Sequence, residues 1–439
     1  MVQFPIICSI YEQYLNKMVL YIYKRRWKLG IKRVSLVSII AVLVIVILLT
    51  AIYFYPAEKG KYNPGGWRMV YGNAQGNDIG YYNTSHLEGK ILWEKGLGEG
   101  INGLVVNGKD MLYAITKGKM VCLDSKGKIL WELNMNFSSV TPTIDEYGNI
   151  YAATNGSVVS LKENGHIRWE YRFHTDDEKV TTSLIVQNNT VYVITNTKSL
   201  YMLNYEGKLI KKVNLEYKTS VTPVISPRGD IYLWMNHSVY EFSPEGIKEW
   251  NVTLKGGILR MAFYGNELYV STVDIIFSPW PVVKNVSTLL YAISSDGKID
   301  WMLHLENFNT YYGTPISLAV NNNAIYVGIM PAALPSGGGN DTDNHSFILK
   351  LDKQGNLIWK RGFHEVIDGL AVSKDGFIYA TFSPYDQMGK TPWKIYALDK
   401  EGNILWSIDL EIAKYPRSTP IIGPYTLYVY KGNYLWAIG

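Results

Sequence analysis

Cysteine is nearly absent: Cys8 and Cys122 are the only two in 439 residues. Two cysteines cannot build a disulfide framework, and no Cys or His spacing fits a structural metal site. Cys122 sits in the apolar run Met120-Val-Cys-Leu123 and reads as a small buried hydrophobe. Histidine is scarce too. His86, His166, His174, His237, His304, His345 and His364 are scattered and read as surface residues, with no HxxxH, Walker or nucleophile-elbow motif among them. Long helical periodicity is missing after residue 60. Charge imbalance is missing as well. The net charge of +5 comes from residues 1–55, with seven Lys/Arg and one acid, and leaves 36 bases and 37 acids in the remainder. A near-neutral body gives no electrostatic footprint for nucleic acid.

One long apolar run is present. Val34 to Tyr55 is 22 residues without a charge. As a helix it would measure about 33 Å, enough for the hydrocarbon core of a bilayer. Lys24-Arg-Arg-Trp-Lys28 and Lys32-Arg33 precede it, which places the N-terminus in the cytoplasm and the rest outside. Cys8 and Cys122 then lie on opposite sides of the membrane and cannot pair within one chain. The run is too long for a typical signal-peptide core, and Tyr53-Phe-Tyr-Pro-Ala-Glu58 lacks a small-x-small cleavage site, so an uncleaved single-pass anchor is expected. Met18 offers an alternative translation start with an ordinary basic leader. The expected organisation is a cytoplasmic leader at 1–33, the anchor at 34–55, a linker and lead-in at 56–88 and a repeat domain at 89–439. Asn-x-Ser/Thr sequons at Asn83, Asn136, Asn155, Asn188, Asn236, Asn251, Asn285, Asn340 and Asn344 suit an outside location and glycosylation.

A short phrase then returns eight times: Gly89-Lys-Ile-Leu-Trp93, Gly127–Trp131, Gly165–Trp169, Gly207-Lys-Leu-Ile-Lys211, Gly246–Trp250, Gly297–Trp301, Gly355–Trp359 and Gly402–Trp406. Seven copies end on Trp and one on Lys211. Between copies the chain is rich in Tyr, Val, Ile and Thr, with Gly, Asn and Asp at turns. Residues 139–173 illustrate one repeat, with strands expected at 139–144, 149–154, 157–161 and 166–171 and a tight Asn155-Gly156 turn. Four short antiparallel strands in about forty residues make a propeller blade. Innermost strands recur in step at Gly103, Thr141-Pro142, Thr182-Ser183, Thr222-Pro223, Arg260-Met261, Thr314-Pro315, Gly369-Leu370 and Thr419-Pro420. The first phrase lacks three strands before it, and the last three strands, 418–422, 426–430 and 433–438, lack a fourth. The fold class is therefore all-β: an eight-bladed β-propeller closed by its N-terminal strand and preceded by one transmembrane helix.

Repeats such as Lys394-Ile-Tyr-Ala-Leu-Asp-Lys-Glu-Gly-Asn-Ile-Leu-Trp406 resemble those of the pyrroloquinoline-quinone-like (PQQ-like) eight-bladed propellers. Trp67-Arg-Met-Val-Tyr-Gly-Asn73 with Gly80-Tyr81 also resembles that family's lead-in, and the resemblance covers about residues 65–439. It implies that Trp93, Trp131, Trp169, Trp250, Trp301, Trp359 and Trp406 dock between blades as structural glue. The family holds quinoprotein dehydrogenases and non-catalytic scaffolds. Its dehydrogenases carry adjacent cysteines over the quinone, a calcium site of Glu, Asn and Asp, and a general-base Asp. This chain has no adjacent cysteines, no calcium set maps onto it, and Asp176-Asp177-Glu178 reads as a solvated turn. No catalytic residue, cofactor or metal is therefore assigned, and the chain is expected to be a scaffold-type member.

Function is then sought where the repeats differ. Intervals between the Trp positions are 38, 38, 42, 39, 51, 58 and 47 residues. The extra residues of the last three fall between second and third strands, at Asp274–Ser287, Pro331–His345 and Ser383–Pro392. Alternating strand direction puts these loops on one face, as a wall bearing Phe277, Trp280, Leu334, Tyr385 and Trp393, its aromatics Trp280, Tyr385 and Trp393 exposed. Asp176, Arg260, Asp368 and Arg417 are expected at the channel mouth on that side. The expected function is a membrane-anchored extracytoplasmic scaffold binding a protein or glycan on the long-loop face. The alternatives are a PQQ-dependent oxidoreductase holding a quinone, with calcium, in the channel, and a structural cell-surface glycoprotein.

Overall fold

Eight four-stranded antiparallel sheets follow one another along the chain in a computed structural model. The structure describes residues 65–439 apart from 176, 278–282, 309–312, 332–345, 385–391 and 411–418. The expected transmembrane segment, 34–55, lies outside the described residues. Among those described, no helix is long and apolar enough to cross a membrane. Blade 1 comprises Gly103–Val106, Leu112–Ile115, Gly118–Leu123 and Ile129–Phe137. Blades 2 to 7 repeat this meander. Blade 8 takes Ile421–Ile422, Leu427–Lys431 and Tyr434–Ile438 from the C-terminus and Ile91–Gly96 from the start of the domain. The two ends register from Ile91 opposite Ile438 to Gly96 opposite Tyr434. Ring closure by the N-terminal strand is thus a direct backbone pairing.

The phrase repeated in the sequence is the contact between blades. Each indole Nε1 donates to a main-chain carbonyl in the turn of the next blade. Trp93 reaches Ser125 at 2.8 Å, Trp131 Glu163 at 3.0 Å, Trp169 Tyr205 at 2.8 Å and Trp250 Ser295 at 3.1 Å. Trp301 reaches Lys353 at 3.1 Å, Trp359 Lys400 at 3.0 Å and Trp406 Leu87 at 3.1 Å. The ring lies on the glycine of that turn: at Gly165 (φ +83°) a Cβ would stand 2.9 Å from the Trp131 ring. Glycine is required twice over there, by positive φ and by the indole. Where Lys211 replaces Trp, Val213 takes the place, its Cγ2 standing 2.6 Å from where a Gly246 Cβ would be.

A second eightfold series, of tyrosines, was not singled out in the sequence. Tyr113, Tyr151, Tyr192, Tyr232, Tyr269, Tyr326, Tyr379 and Tyr428 each follow an apolar residue in the second strand, and none is more than 2 % exposed. Six of them tilt against their own blade's Trp, from 5.7 Å for Tyr151 and Trp169 to 6.2 Å for Tyr269 and Trp301. The pairs fill the space between sheets where blades fan apart, with the large apolar payload aromatics bring.

Two expectations are corrected. The first strand of blade 2 is only Thr143–Ile144, not 139–144. Pro142 has no N–H to give a ladder, and Val140 N–H turns back onto Ser138 O at 2.8 Å. The insertion Asp274–Ser287 is not a loop throughout. Pairing runs on from Asp274 opposite Ser287 to Phe277 opposite Val283, so it is an extended hairpin.

Two outcomes test this frame. Trp169→Ala should cost about 2–4 kcal/mol in chemical denaturation, the loss of a large, partly buried aromatic, while Lys211→Ala at the equivalent position should stay within about 0.5 kcal/mol. Deleting residues 426–439 removes the partner of Ile91–Gly96 and should abolish cooperative unfolding; a soluble product with a single sharp transition would contradict ring closure.

Candidate functional site

Blades 5, 6 and 7 are built differently from the other five. Their innermost strands, Gly257–Tyr264, Gly313–Val320 and Val366–Val372, have 8, 8 and 7 residues. Those of blades 1 to 4 and 8 have 4, 2, 3, 2 and 2. Each long strand carries a β-bulge, between Ile258 and Arg260, Pro315 and Ser317, and Ile367 and Gly369. Bulges re-aim strands and their side chains next to functional surfaces. The extra length lies toward the second-to-third turns, hereafter the upper face. Three consecutive blades therefore rise above the rest on the side that carries the inserted residues.

The lead-in runs along the lower ends of the innermost strands. Its carbonyls take N–H groups from the innermost strands in blade order. Val106 donates to Trp67 at 2.9 Å, Ile144 to Arg68 at 2.9 Å and Ile225 to Ala74 at 2.8 Å. Phe263 donates to Gln75 at 2.8 Å, Val320 to Asn77 at 3.0 Å and Val372 to Asp78 at 3.0 Å. The chain thus visits blades 1, 2, 4, 5, 6 and 7 before Gly80 packs on Ile422 of blade 8. These N–H groups belong to sheet edges turned toward the axis, and the lead-in satisfies them.

Arg260, a channel-mouth candidate in the sequence, is buried and paired. It is 7 % exposed, hydrogen-bonds and ion-pairs with Asp78, and its guanidinium carbon lies 3.3 Å from the centre of the Tyr71 ring. Burial, working against the attraction of Arg260, pushes Asp78 up to about 7. Asp78 Oδ1 and Arg260 Nε are buried without a protein partner. Sequence reasoning missed the pair because its members lie 182 residues apart.

Asp368 and Trp393 do come together, but inside the protein. Trp393 is 1 % exposed and forms no part of an exposed wall. Its Nε1 donates to Asp368 Oδ2 at 2.8 Å, as does Ser383 Oγ at 2.6 Å. Lys431 of blade 8 closes the group, 3.3 Å from Asp368 Oδ2 and donating to Ser383 Oγ at 2.8 Å. Lys431 also lies 4.8 Å from the centre of the Trp393 ring, and burial lowers its pKa. The cluster joins blade 7 to blade 8 at the foot of the third insertion. Trp393 begins a strand, so its side chain turns into the sheet packing instead of continuing the loop.

Glu178 is likewise not in a solvated turn. It is 2 % exposed and accepts bonds from Thr195 at 2.7 Å, Thr197 at 2.5 Å and Tyr201 at 2.9 Å. Burial raises its pKa, but these hydroxyls outweigh it and hold the carboxyl below its ordinary value. Trp280, Leu334, Tyr385, Asp176, Arg417, Asn340 and Asn344 lie outside the described residues. Phe277 and Asn285 are placed in the blade 5 hairpin by their pairing alone. Asn83, Asn136, Asn155, Asn188, Asn236 and Asn251 are exposed. Asn136 and Asn155 share an upper-face cleft of about 410 Å³ with Glu170, Arg172, Met135 and Phe173.

Residues 81–232 match the family model described as "Outer membrane protein assembly factor BamB", a PQQ-like repeat family. Among solved structures, BamB from Moraxella catarrhalis aligns at 14 % identity and a TM-score of 0.56, over 79 % of this chain and 98 % of that one. A europium-containing methanol dehydrogenase aligns at 13 % identity and 0.57, over 86 % and 91 %. Saccharomyces cerevisiae Sqt1 aligns at 10 % identity and 0.58, over 80 % and 99 %. No curated protein matches the chain. The resemblance to PQQ-like eight-bladed propellers read from the repeats is met in both the family model and the solved structures; at these identities the structural likeness is one of fold. Among the described residues no group of three or more His, Cys, Asp or Glu could hold a metal ion. The Arg260 guanidinium is already committed to Asp78 and Tyr71. Cys122 is a buried thiol pushed up to about 12 by burial.

Asp78 gives this site a pH signature. Its carboxyl titrates at about 7 when folded against an ordinary 3.8, so the folded chain binds the extra proton between those values. Stability contributed by this group therefore falls as pH rises through that interval. Asp110, raised to about 6, and Glu241, raised to about 7, act in the same direction. Thermal unfolding between pH 4 and pH 8 should show the decline, and Asp78→Asn should flatten it; an unchanged slope would remove Asp78 from this role.

Proposed function

We propose that this chain is a membrane-anchored, extracytoplasmic binding scaffold without catalytic activity, and that it engages a protein partner on the raised upper face of blades 5 to 7. The observation that carries the reading is the local departure from eightfold regularity: long, bulged innermost strands in the three blades with inserted residues. Binding residues usually sit on loops held by a rigid scaffold, and here the scaffold is lengthened to raise them. The assembly-factor description of the matching family supports a scaffold role. So does the commitment of Arg260, Asp78 and Tyr71 to one another inside the ring. Anchoring rests on the uncharged run Val34–Tyr55 and the basic cluster before it.

Chemical cross-linking on intact membranes, read by mass spectrometry, tests this. The wild-type chain should cross-link to a defined partner through residues near 278–282, 332–345 or 385–391. Replacing 332–345 by a short Gly-Ser turn, or Trp280 and Tyr385 by Ala, should lose that partner with little change in melting temperature. Retained capture by all of these variants would place the site elsewhere.

A further inference from the structure

Blades 1 and 2 carry a departure from regularity of their own, on the upper face across the ring from the raised blades. The outermost strands of the other seven blades each pair through one bulge, beside the docking position. That of blade 1, Ile129–Phe137, has a second. Lys119 pairs with Asn134 and Gly118 with Phe137, so Met135 and Asn136 are both skipped. The strand has nine residues, against six or seven in the other blades. Asn136 stands at φ +50°, a left-handed conformation that asparagine accepts more readily than most side chains. Phe137 then bridges to Thr154 at the end of the second strand of blade 2, and Ser138 N–H donates to Ala153 O at 2.9 Å. The bulge is thereby held beside the Asn155-Gly156 turn. Bulges re-aim side chains, and they concentrate next to functional surfaces.

The bulge borders a polar cleft of about 410 Å³, within the range of small-molecule sites, about 300–1,000 Å³. Met135 and Asn136 line it from blade 1, and Asn155, Glu170, Arg172 and Phe173 line it from blade 2. Hydrogen bonds fix the blade 2 side. Thr154 Oγ1 and Ser157 Oγ are 2.5 Å apart, and Ser157 Oγ donates to Glu170 Oε1 at 2.8 Å. Arg172 Nη2 donates to Glu170 Oε2 at 3.1 Å. Phe173 N–H donates to Gly156 O at 3.1 Å and ties the turn to the outermost strand. The carboxylate and the guanidinium are thus oriented in advance. Among the described residues, the side-chain amides of Asn136 and Asn155 have no hydrogen-bond partner.

The chemistry of the lining points to the ligand. Its one carboxylate and one guanidinium are paired with each other, which favours a ligand without net charge. What remains free is two carboxamides and the other N–H groups of Arg172, donors and acceptors side by side. Met135 and Phe173 add apolar area. A sugar ring has the matching make-up: hydroxyls that each donate and accept around its edge, and C–H groups across its face. A purely apolar ligand would cover the two amides without bonding them. A phosphate or carboxylate group would meet the Glu170 carboxylate. We infer that the cleft between blades 1 and 2 binds an uncharged sugar unit of a glycan, with Asn136, Asn155 and Arg172 bonding its hydroxyls. The site shares no residue with the raised face of blades 5 to 7, so failure of either reading leaves the other standing.

The test applies the full-length chain, in a polyoxyethylene detergent that carries no sugar, to an array of neutral, sulfated and sialylated glycans. The wild-type chain should be retained on neutral glycans. Asn136→Gly accepts the same left-handed backbone and removes the amide, and Arg172→Ala truncates an exposed side chain. Each should weaken retention about tenfold, the loss of one good hydrogen bond, with the melting temperature unchanged. Asn251→Gln, on the outermost strand of blade 4, should bind as the wild type does. Retention on no glycan, retention on charged glycans only, or retention undiminished in both cleft variants would overturn the inference. So would a glycan found by mass spectrometry on Asn136 or Asn155 of the chain from its native membranes, because the cleft would then be covered by the chain's own modification.

Discussion

An indole ring can lie flat against a neighbouring sheet only where that sheet offers backbone without a side chain, and in this propeller the bare surface is a glycine. Seven tryptophans rest on seven glycines of the following blade, and the indole N–H of each is met by a carbonyl two residues earlier in the same turn. The contact sets the distance between blades. It also couples them around the whole ring, because Trp406 lies on Gly89 and Trp93 on Gly127 across the seam where the two ends meet. The one blade without an indole keeps the glycine and fills the gap with Val213. The requirement is for close approach, and tryptophan is the usual way of meeting it.

The same geometry leaves each sheet with two exposed edges, and the chain deals with them differently. Inner edges turn toward the axis, where an unpaired N–H would be buried. The lead-in passes beneath six of them in order and accepts one N–H from each. Outer edges face solvent, and each carries a bulge beside its docking position, which interrupts the flat ladder another strand could join. Closure follows from the same constraint. Ile91–Gly96 leaves the innermost position of no blade and completes the outermost position of the last, so neither chain end leaves an unpaired strand.

How much of this the sequence discloses depends on distance along the chain. The Gly-to-Trp phrase and the missing strands at the ends are local patterns, and the blade count and closure read directly from them. The second-strand tyrosines are as regular as the tryptophans, but Tyr occurs 34 times in the chain, so the eight structural copies are hidden among the rest. Trp393 illustrates a boundary error. One residue decides whether a side chain ends a loop or begins a strand, and here it begins one and is buried against Asp368 and Lys431. Asp78 and Arg260 illustrate a different limit. Neither residue is unusual where it stands, and only the path of the lead-in across the ring brings a residue before blade 1 against the innermost strand of blade 5.

Eightfold repetition also sharpens the search for function, because a residue that serves the repeat in every blade is not available for anything specific. The Trp, Gly and Tyr series are all of this kind. One feature breaks the repetition in three consecutive blades. Blades 5 to 7 lengthen their innermost strands toward the upper face, at a cost in regular pairing that shows as a bulge in each. The packing between blades is already supplied by the seven indoles and Val213 lying on the turn glycines. The lengthening is therefore a property of a surface.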